Sequence, residues 1–123
     1  MSTDITLIVG ASNNPERYAF KAAQFLNRAG RPFIPISIKT GKVLGEDILD
    51  LNTRPIVKGI HTISMYLGRD KQEEWQSYLL SLEPKRIIFN PGAENATFSK
   101  KAESLGIETI NACTLVMINT GQY

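Results

Sequence analysis

Hydrophobic positions along the chain form two patterns, continuous short runs typical of strands and a spacing of three to four residues typical of helices. Segments with the two patterns alternate. Five short runs rich in apolar and β-branched residues are typical of strands buried on both faces of a parallel sheet. These runs cover residues 5–9, 33–36, 60–65, 86–89 and 107–110. Pro32 and Pro35 lie in or beside the second run, which favours an irregular or edge position for that strand.

Apolar residues recur at helical spacing in three segments between these runs. The first segment covers residues 18–29, and Gly30 follows it as a helix stop. The second begins with Asp70 and Glu73 in the spacing of a capping box, with Asp70 as the cap, and it ends at Pro84. The third covers residues 97–105. The positions expected to face the core are Trp75, Tyr78, Leu79 and Leu82 in the second helix, and Phe98, Ala102 and Leu105 in the third.

The order of these elements predicts the fold class. Strands joined by helices of about 10–15 residues imply a parallel sheet that helices cover on both faces. Residues 37–57 are expected to be a loop with at most short elements, and residues 115–118 a last short strand or turn. The fold class is therefore α/β, a three-layer, doubly wound parallel sheet of about five strands. At about 150 residues per domain, residues 1–123 are expected to form one domain.

Composition narrows the class of protein. With 42% hydrophobic and 21% charged residues, the chain resembles ordinary soluble proteins rather than disordered or fibrous ones. Fourteen lysines and arginines against twelve acids leave a net charge of +2, which indicates no particular partner. A lone cysteine forms no internal disulfide, no apolar run approaches the roughly 18 residues of a membrane span, and the N-terminus lacks a signal-peptide pattern. We expect a cytoplasmic protein that does not bind membranes.

The loop after the first strand, residues 10–17, lies where sheets of this kind bind ligands, beyond the carboxyl ends of their strands. Gly10 permits a tight turn and a close approach of the backbone to a ligand. Ser12, Asn13 and Asn14 add short polar side chains, and the following helix presents free N–H groups to an anion. The loop is therefore expected to bind a ligand, with a simple strand-to-helix turn as the alternative.

The same loop argues against the common nucleotide motifs. The dinucleotide fingerprint requires glycine where this chain has Ser12 and Pro15, and an acid about 20 residues later. No acid occurs in residues 17–45, so ordinary NAD binding is disfavoured. A P-loop is excluded because no Gly-Lys-Ser/Thr triplet is present. A phospho-receiver domain needs acids where Val9 and Met65 stand, so it is excluded as well.

The acid-free window carries six of the fourteen basic residues, namely Arg17, Lys21, Arg28, Arg31, Lys39 and Lys42. Part of this set is a solvated helix face, but Lys39 lies just past the second strand, where such folds place the adenosine ribose. A lysine in place of an acid suits a ribose that carries a phosphate. Two cofactors fit this feature, coenzyme A with its 3′-phosphate and NADP with its 2′-phosphate.

Several segments, in order along almost the whole chain, carry a family resemblance. They read Ile-Val-Gly-Ala-Ser-Asn-Asn-Pro at 8–15, Pro-Ile-Ser-Ile-Lys at 35–39, Val-Leu-Gly-Glu at 43–46, Asn-Pro-Gly-Ala-Glu-Asn at 90–95 and Ile-Asn-Ala-Cys-Thr-Leu at 110–115. The set resembles the small stand-alone CoA-binding proteins, which are Rossmann-like domains related to the nucleotide-binding domain of the succinyl-CoA synthetase α subunit. Where that family usually has Asn-Pro-Lys after the second strand, this chain has Ser37-Ile38-Lys39 and keeps the lysine.

The resemblance implies binding of CoA or an acyl-CoA at the carboxyl edge of the sheet. In that arrangement Gly10, Ala11 and Ser12 would face the pyrophosphate. Lys39 would pair with the ribose phosphate, and the tips of the third and fourth strands would line the remaining cleft. The implied cofactor-binding residues are Gly10, Ala11, Ser12, Asn14, Arg17, Lys39, Tyr66, Pro91, Gly92 and Asn95.

No residue pattern indicates catalysis. The synthetases use a phosphorylated histidine from a second domain that this chain lacks. The one histidine, His61, is expected near the start of the third strand, at the end of the sheet away from the ligand. Cys113 is expected to be a small buried thiol, with a mixed disulfide to CoA as the alternative hypothesis. Neither metal-ligand spacing nor a pair of carboxylates in a cleft is evident.

We therefore expect a non-catalytic module that binds CoA or an acyl-CoA. The alternatives are an NADP-binding domain with a redox or sensor role, and a domain that keeps the fold, binds no ligand and serves as an interaction module. Nucleic-acid binding is not expected, because the basic window has only four aromatic residues and most of them are needed for the core.

Overall fold

A computed structural model of the protein describes residues 4–123, and a parallel sheet of six strands lies at its centre. The strands are β1 (Ile5–Val9), β2 (Phe33–Ser37), β3 (Lys42–Val43), β4 (Glu46–Asp47), β5 (Leu49–Asp50), β6 (Ile60–Met65), β7 (Arg86–Phe89) and β8 (Glu108–Asn111). The sheet has the order β5-β2-β1-β6-β7-β8, while β3 and β4 form a separate antiparallel hairpin. All neighbours in the six-stranded sheet are parallel, so their carboxyl ends share one edge.

Helices cover both faces of the sheet. They are α1 (Tyr18–Arg28), α2 (Arg69–Gln72), α3 (Gln76–Ser81), α4 (Ala96–Ser104) and α5 (Thr114–Asn119), with 3₁₀ turns at Leu51–Thr53 and Glu73–Trp75. No helix within the described part of the chain has the length and apolar character needed to cross a membrane.

Two separate sets of buried side chains give the molecule three layers. One face of the sheet packs against α3 and α4, and Phe98 of α4 meets Phe89 of β7 edge to face with 5.6 Å between ring centroids. The other face packs against α1 and α5, where Leu26 is fully buried and Ile118 is partly buried. The α/β fold class with a doubly wound parallel sheet is therefore confirmed.

Most predicted elements are confirmed. Gly30 ends α1 with φ of 70°, and the amide of Arg31 donates to the Leu26 carbonyl at 2.9 Å, as in a Schellman motif. The sheet has a sixth strand because β5 pairs with Ile36 and Ser37 of β2. The edge position expected for β2 was therefore wrong: Pro35 lies just before the first residue that β5 pairs, so its missing N–H interrupts no bond.

Three local predictions were wrong. The capping box at Asp70 does not form, since α2 begins one residue earlier, after Gly68, and has no side-chain cap. Leu105 is 63% exposed because α4 ends at Ser104, and the buried residue that follows is Ile107. Residues 115–118 belong to the helix α5, although their β-branched residues favour a strand.

The start of α5 is fixed by Asn90, which follows β7 and is almost fully buried. Its Oδ1 accepts a hydrogen bond from the Thr114 amide at 2.8 Å, as a helix cap does. Its Nδ2 donates to the Ser64 hydroxyl at 3.1 Å and to the Met65 carbonyl at 2.9 Å. One side chain therefore joins the ends of β6 and β7 to the last helix.

Replacing Asn90 with alanine is expected to destabilise the fold by about 2–4 kcal/mol, because three hydrogen bonds are lost and the buried Thr114 amide has no acceptor. Urea denaturation of Asn90→Ala measures this directly. Asn27→Ala, at an exposed position of α1, serves as the control and should change stability by less than about 0.5 kcal/mol. A loss below about 1 kcal/mol for Asn90→Ala would show that water replaces the amide.

Candidate functional site

A cleft of about 390 Å³ lies beyond the carboxyl ends of β1, β2, β6 and β7. From β1 the chain proceeds to β2 and β5 on one side, and then returns to β6 on the other side of β1. The reversal leaves a crevice between the loops after β1 and β6, which is where open α/β sheets bind ligands. Seven of the ten predicted residues line this cleft, namely Gly10, Ala11, Ser12, Arg17, Lys39, Tyr66 and Pro91.

The floor of the cleft is a close contact between two backbone segments at Gly10. A Cβ added to Gly10 would lie 3.1 Å from the Leu67 nitrogen and 3.2 Å from the Tyr66 carbonyl carbon. Gly10 also has φ of 90°, a conformation that residues with side chains rarely adopt. Glycine is therefore needed here for the loops after β1 and β6 to meet.

Backbone donors for an anion lie at the start of α1 rather than at Gly10. The amides of Gly10 and Ala11 both donate to the Ile36 carbonyl, at 3.0 and 3.2 Å, so they are not available to a pyrophosphate. The first turn of α1 has no side-chain cap, and Tyr18 and Ala19 at its start line the cleft. An anion there would meet the free N–H groups and the positive end of an eleven-residue helix.

Three cations surround the cleft, and no carboxylate lines it. Arg17 precedes α1, Lys39 follows β2, and Lys71 projects from α2. None of the three forms an ion pair with any residue from 4 to 123. The cleft therefore has a positive potential suited to a polyanionic ligand.

Sequence reasoning missed Lys71, because its position at the cleft depends on the loop from β6 turning back toward β1. It also missed two apolar side chains. Tyr18 is 66% exposed and Ile38 is 53% exposed, and both line the cleft. Exposed apolar groups of this size at a concave site commonly contact a ligand.

The hairpin of β3 and β4 packs against the first loop, although none of its residues lines the cleft. Val43 and Ile48 are buried in the same cluster as Ala11. The Asn13 side chain packs against Gly41, where an added Cβ would lie 2.9 Å from the Asn13 amide nitrogen. The hairpin therefore supports the first loop from outside the cleft.

Three predicted residues lie outside this cleft. Asn14 stabilises the turn of the first loop, since its Oδ1 accepts from the Glu16 amide at 3.0 Å. Asn95 is buried, and its side chain caps α4 by accepting from the Phe98 amide at 3.0 Å. Gly92 lines a neighbouring cavity. The structure thus gives Asn14 and Asn95 positions that support the loops.

Asn95 takes part in a buried connection between two loops at the cleft edge. Its Nδ2 donates to the Gln72 Oε1 at 3.1 Å. The Gln72 Nε2 in turn donates to the carbonyls of Leu67 and Ala93, at 2.9 and 2.7 Å. Because Gln72 is fully buried, this amide holds the loop after β6 and the loop after β7 at a set separation.

Tyr66 lines the cleft, but its hydroxyl is buried against the α1 and α5 side of the sheet. Within the described residues this hydroxyl makes no hydrogen bond of normal geometry. The neighbouring Ser64 and Thr114 hydroxyls bond to each other at 2.8 Å. Burial raises the pKa of Tyr66 to about 12, against a smaller lowering by those two hydroxyls.

Neither of the two residues considered for catalysis lines the cleft. His61 is the second residue of β6, at its amino end, with Nε2 3.8 Å from a carboxylate oxygen of Asp4. Cys113 precedes α5 and is half-buried, and the residues that line the cleft do not include it. The structure therefore gives the mixed-disulfide hypothesis no geometric support.

Comparison with known families agrees with this arrangement. The profile of the family described as CoA binding domain matches residues 5–119. The chain belongs to this CoA-binding domain family. No curated protein matches the chain.

Solved structures show the same fold. One crystal structure, described as that of an uncharacterised protein, shares 41% identity over the whole of both chains, with a TM-score of 0.95. A redesigned form of the PH1109 protein, described as redesigned for binding, shares 21% identity over 98% of this chain and 84% of its own, with a TM-score of 0.84. A hypothetical protein from Pyrococcus horikoshii OT3 shares 24% identity over 94% of this chain and 81% of its own, with a TM-score of 0.81.

Replacing Tyr66 with phenylalanine is expected to leave the protein at least as stable at pH 8, because the buried hydroxyl makes no hydrogen bond that would be lost. The raised pKa predicts an alkaline effect as well. Above pH 10 the unfolded chain ionises this tyrosine while the folded chain keeps it neutral, so stability falls until the pH reaches about 12.

Urea denaturation at pH 8 and pH 11 tests both points. Between these pH values the free energy of unfolding of Tyr66→Phe should fall by about 1 kcal/mol less than that of the unsubstituted protein. Equal losses in the two proteins, or a clear destabilisation of the variant at pH 8, would contradict the buried and unbonded position of the hydroxyl.

Proposed function

We propose that the protein binds coenzyme A in the cleft at the carboxyl edge of the sheet. The observation that carries the proposal is the set of three cations without ion-pair partners among the described residues, placed around a cleft that no carboxylate lines. Coenzyme A carries a 3′-phosphate and a pyrophosphate, so its charge is concentrated at one end. Membership of the CoA-binding domain family supports the same ligand.

Each part of the nucleotide end has a matching surface in this proposal. Lys39 pairs with the 3′-phosphate, because it lies just past β2, where the ribose is expected. Arg17 and the first turn of α1 bind the pyrophosphate. Tyr18 and Ile38 supply apolar surface for the adenine, since both are exposed at the cleft beside these charges.

We propose a binding role without catalysis. The titratable side chains that line the cleft are arginine, lysine and tyrosine, and neither a histidine, a cysteine nor a carboxylate is among the described lining residues. Acyl transfer or hydrolysis needs a nucleophile or a general base within hydrogen-bond reach of the reacting atoms. The groups that line the cleft therefore favour retention of the nucleotide end of the cofactor.

Coenzyme A at 100 times its dissociation constant is expected to stabilise the fold by about 2.7 kcal/mol, or about 10 °C in melting temperature. Dephospho-CoA, which lacks only the 3′-phosphate, should bind about tenfold more weakly. In Lys39→Ala the two ligands should bind with similar affinity, because the group that distinguishes them has been removed. Isothermal titration calorimetry of CoA and dephospho-CoA with the unsubstituted protein and with Lys39→Ala measures all four affinities.

NADP and NAD complete the ligand series, and Lys100→Ala, an exposed lysine of α4, is the control substitution. Lys100→Ala should retain the preference for CoA over dephospho-CoA. Binding of NADP with no response to CoA would replace the proposal with an NADP-binding role. A phosphate preference that survives in Lys39→Ala would show that another cation contacts the 3′-phosphate.

Tyr18→Ala is expected to weaken binding of CoA about tenfold, because the loss of stacking on one base costs about 1–3 kcal/mol. Tyr18→Phe keeps the ring and should bind like the unsubstituted protein. The effect should be equal for 3′,5′-ADP, which contains the adenine, and absent for phosphopantetheine, which does not. An equal loss for phosphopantetheine would place Tyr18 against the arm of the cofactor instead.

A further inference from the structure

A second cavity of about 620 Å³ lies beside the cleft, between the loop after β6 and the loop after β7. Its lining residues are Gly68, Arg69, Asp70, Lys71, Gly92 and Glu94. Gly68 and Lys71 also line the cleft, so the two spaces adjoin each other. A ligand too long for the cleft can therefore extend into this second cavity.

The lining of the cleft indicates the direction in which the arm of a bound CoA would run. On the β2 side the lining consists of Ser37, Ile38 and Lys39, and no residue of β3, β4 or β5 contributes to it. The open path leads the other way along the sheet edge, from β2 past β1 and β6 to β7. These are three strand spacings of about 4.8 Å, or roughly 14 Å, a distance that suits an extended pantetheine arm.

Charged side chains and two glycines make up the described lining of the second cavity. Two cations and two carboxylates face it, and no aliphatic or aromatic side chain is among its described lining residues. Arg69 Nε lies 3.7 Å from an oxygen of the neighbouring Asp70, and both side chains are largely exposed to solvent. The Glu94 carboxylate accepts a hydrogen bond from the Gly92 amide at 2.9 Å.

Such a surface does not favour a hydrocarbon chain. A fatty acyl group that entered the cavity would displace water from charged groups and contact no apolar side chain in return. A free thiol, or a short acyl group with a polar thioester, leaves these groups hydrated. The lining therefore gives a longer acyl chain no gain in affinity.

We infer that the thiol end of the cofactor lies in this second cavity, and that the cavity offers no apolar site for the hydrocarbon chain of a fatty acyl-CoA. This inference rests on the proposed binding of CoA in the adjoining cleft. It adds the position of the reactive end and the expectation that a longer acyl chain gains no affinity.

Isothermal titration calorimetry with CoA and with acetyl-, butyryl-, hexanoyl- and octanoyl-CoA tests the inference. All five dissociation constants should lie within about threefold of one another. Burial in an apolar site would instead tighten binding roughly fourfold for each methylene. If octanoyl-CoA binds more than about tenfold more tightly than acetyl-CoA, the inference is overturned and CoA binding itself stays intact. A lack of binding by all five ligands would refute the proposed function as well.

A flat series, in which the five dissociation constants are similar, would also arise if the thiol end lay in bulk solvent. A variant protein is therefore needed to locate the thiol end. The double substitution Arg69→Leu with Glu94→Leu makes the second cavity apolar. In this variant octanoyl-CoA should bind at least about fivefold more tightly than acetyl-CoA. Lys100→Leu with Glu74→Leu, a matched pair of exposed positions outside both cavities, should keep the flat series. A flat series in the Arg69 and Glu94 variant would show that the thiol end lies elsewhere.

Discussion

The close contact at Gly10 is the constraint on which the cleft depends. The absence of a side chain lets the loop after β1 lie directly against the backbone at Tyr66 and Leu67. The amide of Gly10 is bonded at the same time to the Ile36 carbonyl of β2. The ends of three strands therefore meet at one point, and the groups that follow each strand enter a common space. A side chain at this position would separate the loops before any ligand could bind.

Charge then distinguishes this crevice from an ordinary gap between loops. The chain as a whole is nearly neutral, yet the cations at the cleft come from three segments distant in sequence, and no carboxylate is among the described residues that line it. Their mutual repulsion is unfavourable to folding, and an anionic ligand would relieve it. Net charge is thus a poor guide to the partner, whereas the local distribution of charge around the strand ends is informative.

Buried amide side chains hold the loops that carry these charges. Asn90 joins β6 and β7 to α5, and Gln72 with Asn95 joins the two loops beside the cleft. Each such amide is satisfied by partners from separate segments, so its geometry is rigid and its removal leaves buried groups unpaired. The Asn95 side chain lies next to the candidate site, yet its hydrogen bonds are to Gln72 and to the start of α4, so it serves the scaffold.

The sequence alone determined the strand-and-helix order, the parallel sheet and the loop at residues 10–17, because these depend on local hydrophobic period and on Gly10 and Gly30. It also singled out Lys39, since the end of β2 is recognisable from the chain. Tertiary structure decided the rest. Asn90, distant in sequence, accepts the hydrogen bond of the first amide of α5, and Lys71 and Tyr18 reach the cleft because packing orients their helices. Such contacts join residues far apart in the chain, so no local pattern encodes them.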